Sequence, residues 1–190
     1  MTAEERSLLQ QLDRILRSEQ IRAQILPIVE RVRSELVQKQ DVLMTWEPIP
    51  LTLFGDALPA VIRSSWVFIL RAGVNTGAER HPNSHQRMMS FEGIGDMQTD
   101  VESPGRSARA PSDILWQSHV LVSNPEVSPE RRWISIPQNV WHRPVIPKGT
   151  DWVVVSFHTV PAGELIEERP PNSDAGAVKR MLYLASDRNG

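Results

Sequence analysis

The chain has 190 residues, with 21 basic and 23 acidic side chains and a formal net charge of −2. That length can bury a sizeable core, but the balanced charge leaves no basic stripe with which to hold nucleic acid. It has no cysteine, so disulfides and thiolate ligands are excluded and any metal must be held by nitrogen and oxygen donors.

The opening MTAEERSLLQ is acidic and polar where a signal peptide would be basic and then apolar, and no apolar run reaches membrane-spanning length. The expectation is a cytoplasmic protein with no membrane partner. Residues 3–39 read as helix: Leu8, Leu9, Leu12, Ile15 and Leu16 recur at helical spacing, and Ile21, Ile25, Ile28, Val29, Val32 and Leu36 continue the stripe. Thr2 and Glu5 suit a capping box, and Pro27 is expected to kink or restart the helix. The stripe should pack on the rest of the chain or on a second copy in a homodimer.

From Val42 onward the pattern changes to short segments separated by turn residues. Residues 64–70, 86–91, 114–122, 133–136 and 152–159 read as strands, which argues for a barrel or sandwich. Residues 1–41 are accordingly taken as a helical segment and 42–190 as a β-barrel domain. The stretch 100–112 is polar and rich in Pro, Gly and Ser, and reads as a loop, either a solvated connector or a lid. The tail after Glu168 is polar, with residues 178–184 able to form a short closing strand or helix.

The chemistry concentrates in residues 73–93, GVNTGAERHPNSHQRMMSFEG. Neighbours two apart on a strand face the same way, so Glu79 and His81 point together, and the Pro82-Asn83-Ser84 turn brings another donor beside them. That donor is His85 or Gln86, since strand alternation forbids both from facing inward. IPQNVWHRPVI, at 136–146, adds His142, which follows a turn through Pro137 and Asn139. Two imidazoles and a carboxylate suit a divalent ion.

The spacing of Gly73, Glu79, His81, Gln86 and Gly93, with Pro137, Asn139 and His142, resembles the two cupin motifs. It departs from them at Glu79, Gln86 and Asn139, where histidine, glutamate and glycine are usual. Within cupins the chain looks most like the thiol dioxygenase branch typified by cysteine dioxygenase, through the helical lead-in, His85, the His142-Arg143 pair and the strand Ser156-Phe157-His158. Val160 stands where that branch has a tyrosine, so the branch's tyrosine–cysteine crosslink is ruled out.

The resemblance implies a mainly β fold, a cupin double-stranded β-helix or jelly-roll barrel with an N-terminal α-helical segment. It also implies a divalent metal ion, Fe(II) favoured with Mn, Ni or Zn as alternatives, acting on a small, anionic organic molecule. By the same resemblance Ser156 and His158 form a pair beside the metal, and Arg63 holds the substrate's anionic group, with Arg71 and Arg87 as competitors. The expected activity is a non-haem Fe(II) dioxygenase. Alternatives are a non-redox lyase, isomerase or hydrolase, which the manganese-dependent ureidoglycine aminohydrolase site also resembles, or a non-catalytic ligand-binding cupin. His119 reads as structural.

Overall fold

The computed structural model describes residues 1–101, 114–170 and 177–185. Most of the expected loop at 100–112 therefore lies outside the described residues. Helix α1 (Ala3–Arg17) starts at Thr2, whose hydroxyl accepts the Glu5 N–H at 3.2 Å, and carries Glu4 and Glu5 in its first turn and Arg14 and Arg17 in its last, matching the helix dipole at both ends. The break before α2 (Glu19–Gln38) falls at Ser18, not at Pro27. Ser18 closes α1 by donating its N–H to Ile15 and opens α2 by accepting the Ile21 N–H on its hydroxyl. Pro27 sits inside α2, where the buried stripe of Ile21, Ile25, Ile28, Val29, Val32 and Leu36 holds the helix to its support.

That support is the outer face of a five-stranded antiparallel sheet in the order β1-β2-β9-β3-β7. Its strands are β1 (Met44–Pro48), β2 (Ser64–Leu70), β3 (Gln86–Glu92), β7 (Trp133–Ile136) and β9 (Trp152–His158). Val67, Ile69, Met89, Phe91, Trp133, Val153, Val155 and Phe157 meet the helices, while the alternate residues Trp66, Phe68, Leu70, Met88, Trp152 and Val154 face the barrel interior. Burial on both faces explains why β2 and β9 read as continuous apolar runs. One polar anchor crosses the helix contact: Asp13 of α1 accepts two bonds from Arg132, at 2.6 and 3.1 Å, and one from the Trp133 indole at 2.8 Å.

The second sheet centres on β4 (Ile94–Asp100). It pairs with β8 (His142–Val145) along Asp96–Thr99, and with β6 (Val120–Val122) and β5 (Trp116–Gln117) at its two ends. The expected strand at 114–122 is thus broken in two. Beyond β8 the sheet continues through Glu79, which exchanges both backbone bonds with His142 at 2.8 and 2.9 Å, and Arg80, which does the same with Glu168 at 2.9 Å. Glu168 belongs to β10 (Ile166–Arg169), which forms a hairpin with β11 (Lys179–Leu182). The late strand β9 lies between β2 and β3, as in a jelly roll wound from both ends. The fold is the expected mainly β jelly roll with an N-terminal helical segment. Among the described residues no helix is long and apolar enough to cross a membrane.

Candidate metal centre

The motif glycines, and Asn139 where the cupin pattern has a third, have a backbone explanation. Gly73 and Gly93 both adopt positive φ, and a Cβ on Gly93 would lie 2.8 Å from the Asp151 carbonyl oxygen. Asn139 adopts φ 63°, the left-handed region that asparagine tolerates better than most residues, so it can replace glycine in the turn before His142. That turn is tied to the first motif by the Asn139 N–H, which donates to the His81 carbonyl at 3.2 Å.

Through these turns Glu79, His81 and His142 converge, with one ligand atom from each within 4.8 Å of the others. His142 Nδ1 faces its neighbour Val140's carbonyl oxygen at 3.1 Å, and His81 Nδ1 faces that of Ile166 at 3.0 Å. A carbonyl can only accept, so both rings carry their proton on Nδ1 and are left with a lone pair on Nε2. His142 Nε2 is buried with no protein partner and lies 3.5 Å from Glu79 Oε1, too far for a good hydrogen bond and suited to two donors facing one ion. The other Glu79 oxygen accepts from Arg169 Nη2 at 3.0 Å.

Burial raises the Glu79 carboxyl, but His142 and the positive charge of Arg169 outweigh it and hold the group at about 2. Burial, reinforced by His142, lowers His81 to about 4. Glu79 and His81 are thus in their metal-binding protonation states at neutral pH. The chemistry of the set, two imidazoles and a carboxylate, fits a divalent ion.

Strand alternation puts His85 and Gln86 on opposite faces of β3. Gln86, Met88 and Ser90 face inward from β3, while His85, Arg87 and Met89 face the helices. His85 is not beside the metal residues as expected: its Nε2 lies 2.6 Å from Ser135 Oγ, and Ser135 donates to Glu5 of α1 at 2.6 Å. Gln86 is buried and donates its amide to Ser156 at 3.2 Å, leaving Oε1 without a protein partner.

Ser156 Oγ in turn lies 3.0 Å from His158 Nε2, and His158 Nδ1 lies 3.3 Å from Ser84 Oγ. The His158 ring stands edge-on to His81, with centroids 5.0 Å apart. Burial first, then the nearby imidazoles, push His158 well below its ordinary value, so it is neutral.

None of the three expected arginines has a described hydrogen bond or ion pair with Glu79, His81 or His142. Arg63 precedes β2 on its outward-facing side and is exposed. Arg87 is spent on Glu5, at 2.7 and 2.8 Å, and Arg71 on the carbonyls of Leu36, Lys39 and Val42 at the end of α2. The arginine that reaches the centre is Arg169, from the polar tail. It also donates from Nε to Glu167 at 2.6 Å and from Nη1 to the Thr76 carbonyl at 3.0 Å. Glu167 is 2% exposed, and burial together with the Glu79 charge pushes it up to about 7.

Tyr183, also from the tail, is buried with its ring 6.2 Å from that of His81, and burial holds its hydroxyl protonated. Ser84, Glu167, Arg169 and Tyr183 are the residues that sequence reasoning missed. The one available signal was Ser84's place in the motif turn.

The sequence matches no protein-family model and no curated protein. Similar solved structures include oxalate oxidase in complex with the substrate analogue glycolate, at 12% identity and a TM-score of 0.44, covering 62% of this chain and 51% of that one. The Lactobacillus farciminis oxalate decarboxylase formate complex matches at 12% identity and a TM-score of 0.44, covering 63% of this chain and 29% of that one. The capsular polysaccharide assembling protein CapF of Staphylococcus aureus matches at 12% identity and a TM-score of 0.43, covering 72% of this chain and 31% of that one. The chain spans about half the length of the first of these and less than a third of the other two.

Proposed function

We propose that the protein is a mononuclear metal-dependent oxidoreductase, a non-haem Fe(II) dioxygenase acting on a small organic substrate, with Glu79, His81 and His142 as metal ligands. The observation that carries this reading is the buried, partnerless His142 Nε2 facing Glu79 Oε1 at 3.5 Å, while both imidazoles are fixed through Nδ1. An uncompensated buried imidazole nitrogen costs stability, so its retention points to a ligand that completes it.

Glu79, His81 and His142 would hold Fe(II), and the bound ion would supply binding and activation of O₂ beside the substrate. The chain's own residues do the rest. Trp46, Trp66, Phe68 and Met88 fill the barrel beneath the centre and exclude water. Arg169 fixes Glu79, and Glu167, at about 7, can hold or release a proton near neutral pH. With Arg63 and Arg87 elsewhere, and Arg169 engaged by two carboxylates, this reading assigns no arginine to a substrate's anionic group.

The partnerless Gln86 Oε1 favours a second reading, in which a fourth protein donor leaves fewer open sites and the ion (Mn, Ni or Zn) serves as a Lewis acid. Metal analysis of protein purified without chelators, followed by oxygen consumption after anaerobic Fe(II) loading in a screen of small acids and thiols, separates the two. Oxygen uptake that depends on both iron and substrate, and is lost in His142→Ala, is the expected result. A protein holding only manganese, nickel or zinc, and taking up no oxygen with iron, overturns the redox reading.

A further inference from the structure

Ser84, Ser156 and His158 form one buried hydrogen-bond chain, and the proton count along it admits two arrangements. Ser84 Oγ accepts the Thr159 N–H at 3.1 Å and lies 3.3 Å from both His158 Nδ1 and the His85 carbonyl. At the other end, Ser156 Oγ lies between His158 Nε2 at 3.0 Å and the Gln86 amide at 3.2 Å. Each serine has one proton to give, and a neutral imidazole carries one N–H.

If His158 is protonated on Nδ1, it donates to Ser84, which donates to the His85 carbonyl. Ser156 then donates to His158 Nε2 and must accept from Gln86, so the amide turns its NH₂ to Ser156 and leaves Oε1 free. If His158 is instead protonated on Nε2, Ser156 accepts from it and its proton goes to the Gln86 oxygen, which leaves the amide NH₂ free. Because His158 Nε2 and the Gln86 amide are the described partners that can receive the Ser156 proton, satisfying that proton locks the histidine tautomer and the amide orientation together. Only the first arrangement leaves a lone pair available to a cation.

We infer that the Ser84–His158–Ser156 chain is a positioning device that fixes Gln86 Oε1 as the fourth donor of the metal centre. Ser156 and His158 act through Gln86 and not as the reaction's acid and base. The inference rests on the metal site proposed above, whichever reaction that site serves, and adds a fourth donor, which leaves about two positions open on an octahedral ion, together with what enforces it. It accounts for a neutral histidine with both nitrogens hydrogen-bonded, and for a buried amide oxygen that nothing in the protein satisfies.

The test uses full-length protein and Co²⁺ or Zn²⁺ alone. Co²⁺ affinity, measured by chelator competition, is compared in wild type, Gln86→Ala, Ser156→Ala and the double variant. Ser156→Ala should weaken binding about 10-fold in the wild-type background, as loss of a ligand-orienting partner does. It should change nothing further once Gln86 is Ala. Additive losses, or an unchanged affinity in Ser156→Ala, overturn the inference.

A second measurement needs no variant. With ¹⁵N-labelled histidine and bound Zn²⁺, the ring-nitrogen shifts of His158 should report the Nδ1–H tautomer, and an Nε2–H tautomer overturns the inference. His142→Ala serves as the control for the underlying reading. If it binds Co²⁺ as tightly as wild type, the metal centre itself is misplaced and both claims fall. If it loses Co²⁺ while the Ser156 and Gln86 effects add, the centre stands and the positioning role alone is refuted.

Discussion

Replacing Arg169 by Met should weaken the metal centre and the fold together, because this one guanidinium neutralises two buried carboxylates. It bonds Glu79 at 3.0 Å and Glu167 at 2.6 Å, and its third bond, to the Thr76 carbonyl, fixes its plane. Removing one partner of a fully buried ion pair costs about 3–5 kcal/mol. The Arg169 side chain is 28% exposed, and Glu167 can escape its charge by protonation, so a cost below that range, about 2–3 kcal/mol, is expected for the metal-free protein.

The metal effect is separable. Glu79 would lose the bond that orients it, and loss of such a partner weakens metal affinity about 10–100-fold. Urea unfolding of the metal-free variants and chelator competition for Zn²⁺ read the two quantities. Arg169→Lys keeps the charge without the fork, so it should recover more of the stability than of the affinity. An Arg169→Met protein that binds Zn²⁺ within twofold of wild type would refute the argument that Glu79 needs its clamp.

Glu167 should make metal-free stability depend on pH. Its folded value is raised to about 7, so the contribution is fully present below the unfolded value near 4.5 and is lost as pH rises through 7. The loss across that window is about 3 kcal/mol by proton linkage, and Glu167→Gln should flatten the curve, as unfolding at pH 4.5, 6 and 8 would show. Asp13→Ala leaves Arg132 buried without its anion and should destabilise by about 3–5 kcal/mol, read by thermal unfolding. Gly93→Ala should cost more than about 1 kcal/mol in the same assay, since it combines a positive φ with a Cβ 2.8 Å from the Asp151 carbonyl oxygen.

What was legible in the sequence follows what burial does to composition. Strands β2 and β7 match their expected bounds, and β9 differs by one residue, because a strand covered on both faces is an unbroken apolar run. β4 and β8, IGDMQTD and HRPV, carry polar outward residues and a proline, and no run marks them. Glu79, His81 and His142 were legible because turn residues at fixed spacing aim them.

The choice between His85 and Gln86 was not legible, since alternation says only that one of them faces out. What decides it is Glu5 with Ser135, which receive His85 on the helix side. Arg169 lies 90 residues from Glu79 and reaches it only because β10 docks on Arg80, a pairing with no local signature.

That pairing has a thermodynamic consequence. The β10–β11 hairpin supplies the Ile166 carbonyl that orients His81, the guanidinium that orients Glu79 and the backbone partner of Arg80. Its connection to the metal residues therefore runs through the bonds that set ligand geometry. Linkage is reciprocal: if a docked hairpin raises metal affinity, a bound metal must stabilise the docked hairpin by the same factor. Amide exchange of the 166–169 backbone should slow on Zn²⁺ binding by at least the factor by which Arg169→Met weakens that binding, since undocking also removes the Ile166 carbonyl from His81. The α1 backbone, tied to the opposite face of the other sheet, should be unaffected at saturating metal except through global unfolding. Equal protection gained in both places would mean that the metal stabilises the whole domain as one unit, with the hairpin having no special part in holding the ligands.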